Sequence, residues 1–224
     1  MTLWRRIRAF PGVLGRHGVL LIDGILVRRH RVEVFADDPE CILRSTVRRL
    51  DEPVTLPCPP DGSPAGARLE AGATIIEVHF WNEHLPHIGE KGADLVWARQ
   101  FALRLSRSLD LLAAHALITP SYARFAAVHG QLGFVQGPEI EVMKRRMGRV
   151  GFMLELRSAP GLRFWSGPFW ACLYAWWLMW AFNPNTLRGK RFRDTAISDA
   201  WMTRDTLLSR LPTTRPDFVP SARR

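Results

Sequence analysis

Residues 74–81 carry the sharpest alternation in the chain: Ile76, Val78 and Phe80 fall on one face of an extended segment, and Ile75, Glu77, His79 and Trp81 on the other. A strand is predicted here, with Glu77 and His79 sharing a face. Residues 31–36 and 41–48 read as two more strands, antiparallel and joined by the turn Asp37-Asp38-Pro39-Glu40. Helical spacing takes over after Asp94, a capping residue. Ala98, Phe101, Ala102, Leu105, Leu109 and Leu112 form an inward stripe, with Arg99, Arg104 and Arg107 on the polar side.

Near the start, Leu3, Trp4, Ile7, Phe10 and Leu14 lie opposite Arg5, Arg6 and Arg8, which predicts an amphipathic basic helix over residues 1–16, interrupted at Pro11-Gly12. Residues 19–27 are apolar around Asp23-Gly24 and fit either a hairpin turn or an irregular helix. Residues 53–66 hold five prolines and two glycines and read as an exposed loop. Short helices are expected from Thr119-Pro120 to before Gly130, over 139–156 despite Gly148 and Gly151, and over 199–211. The fold class that follows is α+β: a small antiparallel sheet in the N-terminal half, then several helices, one of them aromatic-rich and membrane-facing. Residues 1–214 form one domain, and the Pro- and Arg-rich residues 215–224 read as a disordered tail.

That aromatic helix comes from residues 164–182, nineteen positions without a charge that include Trp165, Trp170, Trp176, Trp177 and Trp180. As a helix they extend ~28 Å, just short of the ~30 Å hydrocarbon core, and a start at Gly167-Pro168 leaves about 21 Å. The tryptophans are spread along the segment instead of gathering at two interfaces, and basic residues flank both ends. An interfacial or re-entrant helix fits these facts better than a spanning one, with the five indoles as membrane contacts. The alternative is a buried core helix, which must find partners for five indole N–H groups.

Composition narrows the partners without naming one. The formal charge of +10 favours an anionic surface or ligand. Only Lys91, Lys144 and Lys190 are lysines, so arginine supplies the remaining 28 basic residues. Cys41, Cys58 and Cys172 form no CxxC pair and imply a reduced compartment. No signal peptide is expected, because Arg16, His17 and Asp23 break the early apolar run. A cytoplasmic protein, peripheral at the inner face of the membrane, is the resulting expectation, with a membrane surface or lipid-linked substrate as partner. Nucleic acid is disfavoured, since Arg28-Arg29-His30-Arg31 and the basic run from Lys144 to Arg149 belong to no recognisable binding motif.

Candidate chemistry gathers at the end of the best strand. Residues 79–87, HFWNEHLPH, place His79, Asn82, Glu83, His84 and His87 within nine positions. Glu77 or Glu83 with His79 suits general acid–base work near neutral pH, so His79, Asn82 and Glu83 are the catalytic candidates. His79, Glu83, His84 and His87 also supply ligand types for a metal-dependent hydrolase, although HxxxEH is one residue longer than the inverted zinc motif. The plain alternative is a strand end whose His79 and Asn82 bond backbone while the others are solvated. Arg99, Arg104, Arg107 and Arg204 are candidates for an anion or headgroup. No GxSxG nucleophile elbow or glycine-rich phosphate loop is present, and the cofactor is left open.

Several short runs together resemble the YkoP-like family of small bacterial proteins, whose domain is also found joined to polysaccharide deacetylases. They are Asp38-Pro39-Glu40-Cys41-Ile42-Leu43-Arg44, Glu77-Val78-His79-Phe80-Trp81-Asn82-Glu83, Leu132-Gly133-Phe134, Asn183-Pro184, and Trp201-Met202-Thr203-Arg204 with Leu207 and Leu208. The resemblance spans residues 18–211. It implies a cell-envelope glycan or glycolipid setting, by association with the deacetylases, and singles out His79, Asn82 and Arg204. The deacetylase catalytic motifs themselves are absent, which leaves an accessory or scaffold module without chemistry as the competing function.

Overall fold

The computed structural model describes residues 3–57, 66–90, 92–133, 139–156, 167–188, 190–192 and 197–211. Its centre is a five-stranded mixed sheet of β1 (Leu43–Arg49), β4 (Thr74–Phe80), β5 (Ala127–Gly133), β6 (Met153–Leu156) and β7 (Ile197–Thr203), in the order β1-β4-β5-β7-β6. Only β4 and β5 run parallel; the other neighbours are antiparallel. A two-stranded arm, β2 (Val54–Thr55) with β3 (Arg68–Leu69), leaves the sheet between β1 and β4. The α+β class holds, and the sheet also draws three strands from the C-terminal half.

The predicted alternation of β4 decides what covers each face. Ile76, Val78 and Phe80 join Leu43, Val128, Leu132, Leu154, Ala200 and Met202 in the main core, under α2 (Leu95–Ile118). Parallel β4 and β5 need such a crossover, and α2 supplies it. Asp94 caps α2 as expected, its Oδ1 accepting from Trp97 N at 2.7 Å. Leu105, Leu109 and Leu112 are buried along the predicted stripe, whereas Ala102 is exposed. Full burial of such a leucine stabilises by about 1.5–3 kcal/mol. Met147 of α3 (Glu139–Val150) and Leu207 of α5 (Arg204–Leu208) close the same layer.

The other face is covered by the β2–β3 arm at one end, where Leu56, Ile75, Ala127, Met153 and Trp201 cluster, and by α1 (Leu3–Arg29) and α4 (Gly167–Phe182) at the other. α1 runs unbroken through Pro11, against the predicted interruption, and absorbs residues 19–27. Val19 and Asp23 are buried and Leu26 and Val27 half-buried at i, i+4, i+7 and i+8. That long inward stripe anchors the helix strongly enough to carry a proline that removes one of its bonds.

Other expected elements shift for tertiary reasons. Residues 31–36 contribute one bridge, Glu33 to Ser45, instead of a strand. β1 takes β4 as its partner in full register, Leu43 to Phe80 through Arg49 to Thr74. The helix expected after Thr119-Pro120 is a single 3-10 turn, Pro120–Tyr122, followed by β5. The helix expected over 139–156 stops at Val150, where Gly151 takes φ +100°, and β6 follows. Of the helix expected over 199–211 only α5 forms, because Ile197–Thr203 is claimed by the sheet between β5 and β6. The predicted tail and Trp165 lie outside the described residues.

Candidate functional site

Where the second sheet face meets α1 and α4, the alternating strands present a polar floor. β1 contributes Arg44, Thr46 and Arg48, β4 contributes Glu77 and His79, and β5 contributes Gln131. Register makes neighbours of residues far apart in sequence: Arg44 stands opposite His79 and Thr46 opposite Glu77, while Glu77 pairs with His129 of β5. Arg48 and Gln131 are exposed at its edges, whereas a charge as buried as Arg44 is unusual, since isolated charges are strongly penalised in a low-dielectric interior. The charges here are largely matched to one another.

Three elements meet at Asp23. Its Oδ1 accepts from Tyr174 Oη of α4, and its Oδ2 lies 3.5 Å from Arg44 Nη2 of β1. Asp23 and Arg44 are both almost fully buried. Burial, with Asp23 beside it, raises the Tyr174 hydroxyl far above the usual phenol range, so it stays protonated and donates. Further along the floor, Arg48 Nη1 lies 3.3 Å from Glu77 Oε2. Behind Glu77, buried His129 sits 3.2 Å from Asp199 Oδ1 through Nε2, and Trp201 packs over its ring at 4.2 Å.

His79 Nε2 is shielded from solvent and has no hydrogen-bond partner among the described residues; the same is true of Arg44 Nε and of His129 Nδ1 behind Glu77. Burial lowers the His79 pKa, Glu77 opposing and Arg44 adding to the depression, so the imidazole is neutral at pH 7. A neutral imidazole beside an arginine is competent as a general base or as a hydrogen-bond donor to an anion.

This floor bounds a cavity of about 790 Å³. The wall opposite is apolar and comes largely from α4, through Ala175, Leu178, Met179 and Phe182, with Leu26 and Val27 of α1. The cavity reaches the carboxyl ends of the parallel strands, at Phe80 and Leu132, where ligands of open α/β sheets commonly sit. Asn82 lines it there, its Nδ2 3.5 Å from Phe80 O. Asn183, of the Asn-Pro pair, closes the rim: its Oδ1 accepts from Ile88 N at 3.0 Å, and Asn185 Nδ2 donates to Ile88 O at 2.8 Å.

α4 is only 16 residues long, or ~24 Å. Among the described residues no helix is long and apolar enough to cross a membrane. Trp170, Trp177 and Trp180 are exposed at 46%, 41% and 39%, while Trp176 is half-buried against Phe192. Trp180 also packs on α1, where a Cβ at Gly15 would meet its Cη2 at 2.8 Å. The outside of α1 is apolar too, with Leu21 and Ile25 67% and 56% exposed between Arg16 and the Arg28-Arg29 pair.

The predicted site residues therefore divide. His79 and Asn82 line the cavity, and Glu77 shares their side as expected. Glu83 does not join them: it is exposed on the 3-10 turn Asn82–His84. His84 faces away, its Nδ1 2.9 Å from Cys41 O and its ring stacked on Trp81, and His87 is exposed. Among the described residues no three His, Cys, Asp or Glu side chains gather as a metal site. Arg104 donates to His84 O at 2.8 Å and Arg107 clamps Asp38 at 2.8 Å, so the first holds the 82–84 turn and the second the 37–41 turn against α2. Arg99 is exposed on the same helix, and Arg204 lies over Phe125 at the opposite end of β5 from Gln131.

Asp23, Arg44, Tyr174 and His129 were not singled out by the sequence. Arg44 and His129 occupy positions whose alternation marks them as cofacial with His79 once the pairing is known. Asp23 carried a signal of its own, a carboxylate inside the apolar run 19–27. Comparisons with models of protein families, with curated proteins and with solved structures give no match.

Proposed function

We propose that the protein works at a membrane surface on an amphiphilic, lipid-linked substrate of cell-envelope glycan or glycolipid metabolism. The observation that carries this reading is the shape of the cavity, in which a polar floor of Arg44, Glu77 and His79 faces an apolar wall supplied by α4. The helix that builds this wall also exposes Trp177 and Trp180, and indoles of that kind favour the headgroup layer. Arg16, Arg28 and Arg29 on the outside of α1 suit an anionic leaflet. His79 is the group for acid–base chemistry on a bound head, with Asn82 beside it at the rim. The glycan or glycolipid setting comes from the resemblance to YkoP-like proteins alone.

Flotation with phosphatidylglycerol vesicles tests the reading: the protein rises with the vesicles, and Trp177→Ser with Trp180→Ser leaves most of it behind. Protein that stays in the dense layer at low salt sinks the membrane half of the idea. A second reading, an accessory module without chemistry, is favoured by the scattering of Glu83, Arg99, Arg104 and Arg107 away from the cavity. It requires that His79→Ala leave the cellular function intact.

A further inference from the structure

Two groups on the cavity floor, buried Arg44 and half-buried His79, are left with open hydrogen-bonding valences. Arg44 is 7% exposed, and its recorded carboxylate contact, Asp23 Oδ2, is at 3.5 Å, the outer limit of a hydrogen bond. Arg44 Nε has no partner among the described residues, nor has His79 Nε2. The register sets these residues directly opposite each other on β1 and β4, and cross-strand neighbours of this kind have Cβ atoms about 4.5–5.5 Å apart. An unpaired N–H on a buried guanidinium is unfavourable, so the site is poised for an acceptor from outside the chain.

The open donors, with no unmatched carboxylate beside them, favour an anionic acceptor. Asp23 is engaged by Tyr174 and Arg44, and Glu77 by Arg48. The carboxylates are therefore matched, and the surplus donor capacity belongs to Arg44. His30 and Lys190 also line the cavity and bring no negative charge. An oxyanion meets these conditions, and a cation does not. The rest of the ligand is dictated by the wall: Ala175, Leu178, Met179 and Phe182 offer hydrocarbon contacts and no hydrogen bonds from their side chains. A volume of about 790 Å³ suits one compact ligand, since such sites run to roughly 300–1,000 Å³.

We propose that the cavity binds a single-chain amphiphile whose oxyanion head, phosphate or carboxylate, is held between Arg44 and His79 while its chain lies along α4. This identifies the head and tail of the substrate class proposed above and rests on that reading for its amphiphilic character. Titration calorimetry of the purified full chain, below the critical micelle concentration, compares dodecyl phosphate, dodecanoate, dodecyl maltoside and inorganic phosphate. Dodecyl phosphate or dodecanoate binds at least about 10-fold more tightly than dodecyl maltoside, as one charge-assisted pair provides. Inorganic phosphate alone binds far more weakly than either.

Arg44→Gln and His79→Leu each bring the oxyanion ligands down toward the maltoside level. Because Arg44→Gln strands Asp23, the double variant Asp23→Asn with Arg44→Gln serves as the control that keeps the site neutral, and it shows the same loss. Equal affinity for the phosphate and maltoside heads in the parent protein overturns the head assignment. Inorganic phosphate binding as tightly as dodecyl phosphate overturns the chain assignment. Retained selectivity in the folded double variant removes Arg44 from the site. Vesicle flotation is read separately: protein that selects dodecyl phosphate yet fails to float keeps this site and loses the membrane reading, and the converse result does the reverse.

Discussion

Replacing Asp23 by alanine removes at one stroke the carboxylate that joins α1 to β1 and α4. Arg44 is then a buried cation without an ion-pair partner among the described residues, and Tyr174 loses the acceptor of its hydroxyl. Breaking a buried pair by deleting one partner costs about 3–5 kcal/mol. The 3.5 Å separation from Arg44 places this pair at the lower end, near 3 kcal/mol. The lost Tyr174 bond, made to a charged group, adds about 1.5–3 kcal/mol. A total loss of roughly 4.5–6 kcal/mol is comparable to the whole stability of many domains. Urea unfolding followed by tryptophan fluorescence and far-ultraviolet circular dichroism measures it. Tyr174→Phe isolates the smaller part, because it leaves the ion pair in place. If Asp23→Ala unfolds within 1 kcal/mol of the parent, roughly the worth of a solvated surface pair, the three-way junction does not exist as described.

Further outcomes follow from individual contacts. Gly15→Val lowers stability by about 1–3 kcal/mol, as overpacking does, because even a Cβ at this position would meet Trp180 at 2.8 Å; Trp180→Ala in the same chain relieves part of it. Gly151→Ala lowers stability by at least about 1 kcal/mol, since φ is +100° and the new Cβ would lie 2.7 Å from Thr206 Cγ2. His79 and His115 both have folded-state pKa values lowered by burial, so the unfolded chain takes up protons first as pH falls below the ordinary value of 6.5. Stability held above that value is lost progressively on acidification, and His79→Gln or His115→Gln flattens the slope of unfolding free energy between pH 7 and 5.

How far the sequence reached depends on whether the deciding force was local. β4 was legible because its alternation is strict and β-branched, and α2 because Asp94 and a leucine stripe mark its start and inner face. β7 was misread as helix: all but its last residue is buried, so the apolar–polar alternation that marks a half-exposed strand is weak, and the Asp199 to Leu211 run mimics helical spacing. α1 was read as interrupted at Pro11 and ending at residue 16, because a proline penalty is visible in sequence whereas the packing that carries the helix on to Arg29 is not. The site shows the same divide. His79 and Asn82 stand out in a dense polar run, but Arg44, Asp23 and Tyr174 come together over sequence separations of 21 and 151 residues.

α4 shows why one segment fits a buried and an interfacial helix at once. A helix that is apolar all round is normally enclosed on every side. Here one side is covered by the cavity and the sheet beyond it, and Trp177 and Trp180 remain about two-fifths exposed on the outside. On the proposed function the two sides carry separable properties. Ala175→Trp adds an indole on the cavity side, where Ala175 now lines open volume, and so removes room for the chain of a bound amphiphile. It weakens dodecyl phosphate binding by 10-fold or more, the equivalent of about 1.4 kcal/mol, and leaves vesicle flotation near the parent level. Trp177→Ser alone does the opposite, weakening flotation while the calorimetric affinity for dodecyl phosphate stays within about 2-fold of the parent, well inside a tenfold step. Loss of both properties in both variants contradicts this division, because it makes α4 a single packing unit whose two faces cannot be altered independently.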